Sequence, residues 1–447
     1  MSDTKPAEVE YEERTQTELD GLRKQFQKPG SFAGANYVAP PAPGHDVKGL
    51  WHSFDSHGRT GYAAHAVGLH ATLEAIGYQV QLIPHRNQDI DIEQFPKDRK
   101  ELLLKWNKNA VGIPSLCILS RVPQEAWEMR ELGPPIVPYC AFEGDVISDV
   151  VAQICRGEVF KQIWTVSPFV RDAFIRSGVP EKRVVALPPL LFGGPWEINE
   201  HWLLEGTGKK EPETFVFGTV GTWQKRKGLL DLVRAYFGAF KREDGVVLRV
   251  HTSPMSATET IKMFQERVLK DLAPIAAEFG DDDYPRSKKM PRIVLDLGTD
   301  KSDTELCRWI DNLDCYVAPS YGEGLGIPAV WAKGIGLPIV ATGFGAVGDM
   351  IKESDVDRET VVPFKLAPVD PDMLRANAMF DLSTQWGVYE PFQFGTAMRI
   401  AFERGRVIDR EGAQRVHWRH GLENVKKLVG DAVGALVDNA ELLPKHA

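Results

Sequence analysis

The residues with the clearest chemical potential form a glycine-rich turn that carries a single carboxylate. Glu323 lies within residues 322–326, which follow the apolar run Cys315–Ala318 and precede a stretch of helical length. In a parallel α/β sheet this order places the turn at the carboxyl edge of a strand and at the amino end of a helix, where ligands bind. Glycines there let the backbone approach a ligand closely, and the free amides and the helix dipole favour anionic or polyhydroxyl groups. A lone acid among them is typical of a residue that binds the hydroxyl groups of a ligand such as a sugar.

A second turn carries three consecutive cations. Lys225, Arg226 and Lys227 follow the strand-like run 214–220 and precede a helix-length segment with an inward apolar stripe. Cations at a strand-to-helix turn can hold a diphosphate, because the loop amides and the helix dipole add to the side-chain charge. The alternative, a solvated basic turn, would set three cations against that dipole.

Each turn requires a parallel sheet behind it, and apolar runs in both halves of the chain provide the strands. The first half has such runs at residues 47–54, 78–83, 115–120, 135–140, 162–167 and 183–187, and the second half at 214–220, 246–252, 292–297, 315–318, 337–342 and 360–364. Short apolar runs separated by helical stretches, such as the helix predicted at 63–76, are typical of a parallel sheet covered on both faces. The sequence therefore predicts an α/β protein with two Rossmann-like halves.

Composition excludes several classes of protein. With 447 residues the chain should form roughly two to three domains, and its formal net charge of −9 creates no broad field that attracts DNA or acidic membranes. The acidic amino terminus lacks the apolar core of a signal peptide, and no run reaches the roughly 18 apolar residues that span a bilayer, so we expect a cytoplasmic protein. The five cysteines include no C-x-x-C pair and are predicted to be buried thiols rather than a disulfide frame or a zinc site.

The segment around Glu323 resembles the donor-binding signature of the retaining glycosyltransferases of family 4, which have the GT-B fold. Their pattern reads S-x-x-E-G-F-G-L-P-x-x-E-A-x-A-x-G-x-P-V-V-A-T. It is matched here by Ser320, Glu323, Gly324, Leu325, Gly326, Ile327, Pro328, Ala332, Gly336 and residues 338–342. Glu323 takes the place of the family's first glutamate, assigned to the donor sugar, whereas Trp331 stands where the second, assigned to the nucleotide ribose, is usual. The resemblance implies two Rossmann-like domains that face each other across a donor-binding cleft.

The resemblance also assigns roles to the basic turn. The family reads G-R-x-x-x-x-K-G there, with an arginine and a lysine that bind the donor diphosphate. Lys227 matches the lysine but Thr222 stands at the arginine, so either Arg226 or Lys225 supplies the second charge, or one charge suffices. The catalytic residues implied in this way are Lys227, Glu323 and Arg226. The implied donor-binding residues are Gly221, Thr222, Lys225, Leu297, Thr299, Gly324, Leu325 and Gly326, and no Asp-x-Asp constellation implies a metal.

Candidates in the first half are expected to face the same cleft. Gly58, Gly61 and Tyr62 resemble a family S-G-Y-G-x-H segment, although a plain strand-to-helix turn is the alternative. Arg121 stands where the family often has a histidine that contacts the donor sugar. Glu143, with Asp145 after it, resembles a Y-x-x-F-E-x-D stretch, and these acids either face the cleft or cap a helix. Asp349, in the second half, resembles the glutamate of a family G-G-x-x-E segment, and a structural role in a turn is equally consistent with it.

The expected domains are an acidic, proline- and glycine-rich tail at 1–45, a Rossmann-like acceptor domain at 46–195, a nucleotide-sugar domain at 196–388, and helices at 389–447 that return to the first domain. Residues 97–108, rich in lysine and leucine, suit either an interfacial membrane helix or a helix docked on the sheet.

The resemblance implies transfer of a hexose from a nucleotide-diphosphate sugar to an acceptor hydroxyl, with retention and without a cofactor. The acceptor stays open between a glycan, a lipid, a small molecule and a modified base in nucleic acid. A GT-B nucleotide-sugar epimerase and a non-catalytic nucleotide-sugar-binding protein are the remaining alternatives.

Overall fold

The structure, a computed structural model, describes residues 49–53, 61–83, 116–128, 135–191, 214–254, 259–298 and 301–437. Several predictions from the sequence fall outside these residues, namely those for the tail 1–45, Gly58, the segment 97–108 and Thr299. Among the described residues no helix is long and apolar enough to cross a membrane. The five cysteines all lie among these residues as buried thiols, and burial raises the pKa of Cys117 to about 12.

The first half is a six-stranded sheet. Its strands are β1 (Gly49–Ser53), β2 (Gln79–Ile83), β3 (Leu116–Leu119), β4 (Ile136–Cys140), β5 (Ile163–Thr165) and β6 (Val184–Ala186), and its helices are α1 (Gly61–Ala75), α2 (Pro123–Glu128), α3 (Asp149–Arg156) and α4 (Pro168–Arg176). All strand pairs are parallel, in the order β2-β1-β3-β4-β5-β6. The strands β3, β4 and β5 are buried along their whole length, which explains why the sequence reads as continuous apolar runs there.

The second half repeats this architecture with another six-stranded parallel sheet. Its strands are β7 (Phe215–Val220), β8 (Val246–Thr252), β9 (Arg292–Leu297), β10 (Cys315–Ala318), β11 (Ile339–Thr342) and β12 (Val361–Val362), and its helices are α5 (Leu229–Ala239), α6 (Ile261–Glu278), α7 (Asp303–Asp311), α8 (Ile327–Ile335) and α9 (Gly345–Lys352). The strand order is β12-β11-β10-β7-β8-β9. The prediction of two parallel α/β halves is confirmed.

A two-stranded antiparallel element, absent from the sequence prediction, joins the halves. It consists of β13 (Lys365–Pro368) and β14 (Gln385–Val388), with α10 (Pro371–Ala376) between them. Both strands are short, and β13 is largely exposed, so no continuous apolar run marks them. The backbone N–H of Gln385 donates to Asp145 Oδ1 at 2.7 Å, and the Asp145 N–H donates to the Gln385 carbonyl oxygen at 3.2 Å. Asp145, expected to face the cleft or cap a helix, therefore fastens β14 to the first half instead.

The carboxyl-terminal helices divide between the two halves. They are α11 (Pro391–Arg404), α12 (Arg410–His420) and α13 (Leu422–Val437). The helix α11 packs on α5 and α12 packs on α8, both in the second half, whereas α13 packs on α1 in the first. Gly395 explains the first contact, because a Cβ atom there would lie 2.7 Å from the Ala235 carbonyl oxygen. The expectation that all of 389–447 returns to the first domain therefore needs correction, because α11 and most of α12 pack on the second half. The first half is reached by α13 and by the end of α12, where His420 Nδ1 lies 2.8 Å from the Pro189 carbonyl oxygen.

A buried cluster of charges anchors the helix α8. Lys333 Nζ lies 2.5 Å from Asp357 Oδ2 and 2.5 Å from Asp409 Oδ2, and donates to Ser354 Oγ at 3.1 Å. Asp357 also accepts a hydrogen bond from the Ile339 N–H at 3.0 Å. The cluster ties α8 to the loop before β12 and to the start of α12, and so holds the glycine-rich turn that precedes α8.

Candidate active site

The glycine-rich turn between β10 and α8 is pressed against the first half of the chain. A Cβ atom on Gly322 would lie 2.1 Å from the Glu143 carbonyl oxygen, and one on Gly324 would lie 2.7 Å from that of Phe142. Ser167 Oγ donates to the Gly324 carbonyl oxygen across the same boundary at 2.5 Å. These positions require glycine because the two backbones approach each other there, so the turn and the first half form one continuous wall.

Glu323 projects from this turn into a set of donors. Its Oε1 accepts hydrogen bonds from Lys227 Nζ at 2.5 Å and from Ser320 Oγ at 2.8 Å. Its backbone is held as well, since the Ala346 N–H at the start of α9 donates to the Glu323 carbonyl oxygen at 2.9 Å. The carboxylate thus has a fixed position and several converging partners.

The basic turn forms a short 3-10 helix, Lys225–Lys227, ahead of α5. It ends at Gly228, whose φ of +64° suits glycine and where a Cβ atom would lie 2.2 Å from the Pro319 carbonyl oxygen. The Tyr321 N–H donates to the Arg226 carbonyl oxygen at 2.8 Å. The basic turn and the glycine-rich turn are therefore fastened to each other by backbone contacts.

Arg226 lies between carboxylates from both halves. Its Nη1 donates to the Gly322 carbonyl oxygen at 2.8 Å and lies 3.5 Å from Glu323 Oε2, and its Nη2 lies 3.4 Å from Glu143 Oε1. The turn thus directs two cations, Arg226 and Lys227, at the same carboxylate, while Arg226 also meets the first half.

These contacts determine the ionisation of Glu323. Burial alone would raise the pKa of its carboxyl, but the charges of Lys227 and Arg226, with the hydrogen bonds from Lys227 and Ser320, lower that pKa to about 2. Burial and the charge of Arg226 lower the pKa of Lys227, and the charge of Glu323 opposes that change. Glu323 is therefore an anion at neutral pH, held by cations that an anionic ligand can also use.

These residues line a cavity of about 510 Å³ between the two sheets. Its walls include the following residues predicted from the sequence: Glu143, Gly221, Thr222, Arg226, Lys227, Glu323, Gly324, Leu325 and Gly326. A volume of this size matches a small-molecule site. Among the described residues no group of three or more histidine, cysteine or acidic side chains is arranged to hold a metal ion.

Comparison with known proteins places this arrangement in a known fold. The model of the family described as glycosyl transferases group 1 matches residues 281–379, the region that contains Glu323. No curated protein sequence matches the chain. HepE of Anabaena, solved in complex with UDP-glucose, is 12% identical with a TM-score of 0.56, covering 87% of this chain and 99% of that one. Sucrose-phosphate synthase from Thermosynechococcus elongatus is 15% identical with a TM-score of 0.57, covering 88% and 99%.

The chain has the GT-B fold. A third solved structure, α,α-trehalose 6-phosphate synthase from Burkholderia multivorans, is similar at 13% identity and a TM-score of 0.53, covering 89% of this chain and 99% of that one. The cavity between the two Rossmann-like sheets is thus the cleft of a GT-B fold, as the resemblance implied.

Some predicted residues lie away from this GT-B cleft. The Lys225 side chain is 71% exposed and its Nζ lies 2.7 Å from Asp370 Oδ2, so of the two candidates for the second charge only Arg226 enters the cavity. Arg121 lies beside Glu125, at 3.7 Å, and is not among the lining residues. Leu297 ends β9, and the next residue, Gly298, lines the cavity in its place. Asp349 is exposed and pairs with Lys352 at 3.3 Å.

Gly61 and Tyr62, also predicted for the cleft, begin α1. Ala64 and His65, further along that helix, line the cavity. Sequence reasoning missed this histidine although it is the last residue of T-G-Y-A-A-H, the counterpart of the S-G-Y-G-x-H segment. Its ring packs edge-on against Tyr139, with centroids 4.8 Å apart, and burial lowers its pKa to about 3. His65 therefore presents a neutral ring to the cavity.

Three further polar residues line the cavity, and none of them was a predicted site residue. His251 is the last residue but one of β8, Asp303 begins α7, and Lys301 lies two residues before it. Asp296 Oδ2 lies 3.5 Å from His251 Nδ1 and 3.2 Å from Lys301 Nζ. Their signal in the sequence is position alone, since His251 lies near the end of an apolar run and Lys301 and Asp303 follow the next one. Trp331, the departure from the family pattern, also lines the cavity and is 3% exposed.

Proposed function

We propose that this protein is a glycosyltransferase that moves a hexose from a nucleoside-diphosphate sugar to an acceptor hydroxyl with retention of anomeric configuration. One observation carries the proposal: Lys227 and Arg226 converge on Glu323 inside a cavity between two Rossmann-like sheets. Two cations and one fixed carboxylate suit a ligand with a diphosphate at one end and hydroxyls at the other.

The diphosphate would lie at the basic turn. Arg226, Lys227 and the backbone of Gly221 line the cavity where β7 ends and α5 follows, so side-chain charge and loop amides favour an anion there. When the sugar–phosphate bond breaks, negative charge grows on the leaving oxygen. Cations already in place stabilise that charge without having to reorganise.

The sugar hydroxyls would bind to Glu323. This carboxylate is ionised and now accepts hydrogen bonds from Lys227 and Ser320. A diphosphate competes with Glu323 for Lys227, so donor binding would turn part of the carboxylate toward the sugar hydroxyls. An anion near the ring also favours positive charge that develops at the anomeric carbon.

The transfer itself would be a front-side displacement. The acceptor oxygen bonds to the anomeric carbon on the face from which the diphosphate oxygen departs, and the acceptor proton passes to that departing oxygen. Retention is supported by the likeness of residues 320–342 to the signature of a retaining family. Contact between the halves would exclude water and so favour transfer over hydrolysis. The reaction needs no cofactor besides the donor.

A matched pair of lysine variants tests the site. Lys227→Ala should weaken UDP binding about 10- to 100-fold, the factor for one hydrogen bond to a charged group, because Lys227 lines the cavity. Lys225→Ala is the control, since this neighbour points outward to Asp370 and should change the affinity less than twofold. Calorimetry measures the affinity of both variants for UDP. UDP is chosen as the ligand to test first because a similar structure holds UDP-glucose. Equal affinities in the two variants would refute the assignment.

The stereochemical part of the proposal has its own assay. Proton NMR of the product formed from an α-linked sugar nucleotide, such as UDP-glucose, should show the α-anomer first. A β-linked product would leave the site in place and reject retention.

A further inference from the structure

We propose that Glu143, on the first half, orients the acceptor hydroxyl, and that Arg226 holds this carboxylate until a donor diphosphate draws Arg226 away. The inference rests on the proposed function and adds the acceptor side of the reaction to it. It also predicts the class of acceptor, which is a neutral hydroxyl compound rather than a phosphorylated one.

The position of Glu143 is fixed by the contact between the halves. It follows β4 at the carboxyl edge of the first sheet, and its carbonyl oxygen is the atom against which Gly322 packs. The side chain is 20% exposed and lines the same cavity as Lys227 and Glu323. Among the described first-half residues that line the cavity, Glu143 is the one that carries a carboxylate.

The charges around Arg226 couple Glu143 to the donor. The guanidinium lies 3.4 Å from Glu143 Oε1 and 3.5 Å from Glu323 Oε2, so it is shared by two carboxylates. Together with Lys227, these groups give two positive and two negative charges, which balance. A bound diphosphate adds negative charge beside both cations, and Arg226 is then drawn toward the phosphates because they carry the greater charge.

A carboxylate released in this way selects its next partner by chemistry. It accepts hydrogen bonds but donates none, and a hydroxyl is a neutral group that can donate one to it. Held by Glu143, the hydroxyl can turn its oxygen lone pair to the anomeric carbon. Glu143 does not keep the proton, because that proton leaves with the departing phosphate oxygen. The same negative charge repels a phosphate ester, and His65, a first-half residue that lines the same cavity, is neutral and does not offset that repulsion.

The first test is UDP affinity, which needs no acceptor. Glu143→Gln keeps the shape of the side chain but removes the charge that competes for Arg226, so calorimetry should show UDP binding about 3- to 10-fold tighter than in wild type. Glu181→Gln is the control, because Glu181 is an exposed first-half carboxylate paired with Arg171. It should leave the affinity within twofold. Unchanged or weaker UDP binding by Glu143→Gln would overturn the exchange of Arg226 between Glu143 and the diphosphate.

The second test is turnover with UDP-glucose as donor and with water, glucose or glucose 6-phosphate as acceptor. Glu143→Gln should lower kcat about 10- to 100-fold for water and glucose without raising the donor KM, since one hydrogen bond to a charged group is weakened. Wild type should prefer glucose to glucose 6-phosphate. An unchanged kcat, or preference for the phosphorylated sugar, would overturn the acceptor role. If wild type bound none of UDP, ADP and GDP, the proposed function would fail first, and the two failures are thus distinguishable.

Discussion

The close approach of the two halves at Gly322 makes a quantitative prediction. A Cβ atom at this position would lie 2.1 Å from the Glu143 carbonyl oxygen, which is backbone and cannot rotate away. Relief to an ordinary contact of 3.4 Å requires the halves to separate locally by about 1.3 Å. Glu323 is the next residue, so the carboxylate shifts by a similar distance relative to groups of the first half. A misplacement of about 1 Å in an active site lowers the rate roughly 100-fold.

Gly322→Ala should therefore lower kcat about 100-fold while UDP binds within a fewfold of wild type, because the backbone of the basic turn is fastened to the glycine-rich turn of the same half and moves with it. The protein should stay folded because each half keeps its own sheet, and its melting temperature should fall by a few degrees because the buried cluster that the halves share is locally loosened. Gly430→Ala is the matched control. Gly430 lies within α13, and the atom nearest to an added Cβ would be Ile76 Cδ1 at 3.9 Å, so this variant should retain full activity. Wild-type turnover by Gly322→Ala, measured with UDP-glucose, would refute the requirement for this contact.

Three further changes should have separable effects. Glu323→Gln should still bind UDP but should have a kcat at least about 100-fold lower, the usual effect of removing one electrostatic group from an active site. A wild-type kcat in this variant would argue against a catalytic role of Glu323. Lys333→Met should reduce the free energy of unfolding by about 3–5 kcal/mol in urea titrations, since it strands the buried carboxylates of Asp357 and Asp409; a loss below about 1 kcal/mol would contradict this. Burial lowers the pKa of His52 from 6.5 to about 3. The neutral ring therefore contributes its full stabilisation above about pH 6.5, and this contribution is lost as the pH falls toward 3. When the pH falls from about 7.5 to about 5.5, the free energy of unfolding should decrease by about 1.4 kcal/mol less in His52→Gln than in wild type. Equal decreases in the two proteins would refute the assignment.

The sequence predicted the sheets well because buried parallel strands need continuous apolar runs. The strands Val246–Thr252 and Cys315–Ala318, in which at most one residue is not buried, agree with their predicted bounds residue by residue. The strands β13 and β14 were not predicted because they pair with each other, outside the two large sheets, and lie partly in solvent. Neither face of the pair is buried enough to require a regular pattern of apolar residues. Local pattern thus predicts elements that are buried on both faces.

The site was predictable where one loop carries it and harder to predict where two elements meet. Glu323 and Lys227 follow from their own turns, but the choice between Lys225 and Arg226 depends on how a single turn of 3-10 helix rotates its side chains. Spacing along the chain does not set that rotation. The meeting of Glu143 with Arg226 joins residues from opposite halves, and it depends on the contact at Gly322.

A crystal structure of the protein with UDP tests the central claim most directly. The account predicts the diphosphate at the basic turn, with phosphate oxygens in salt-bridge distance of Lys227 and Arg226, and with Glu323 free on the side of the cavity that the sugar would occupy. UDP bound outside this cavity, or with its phosphates turned away from both cations, would contradict the account.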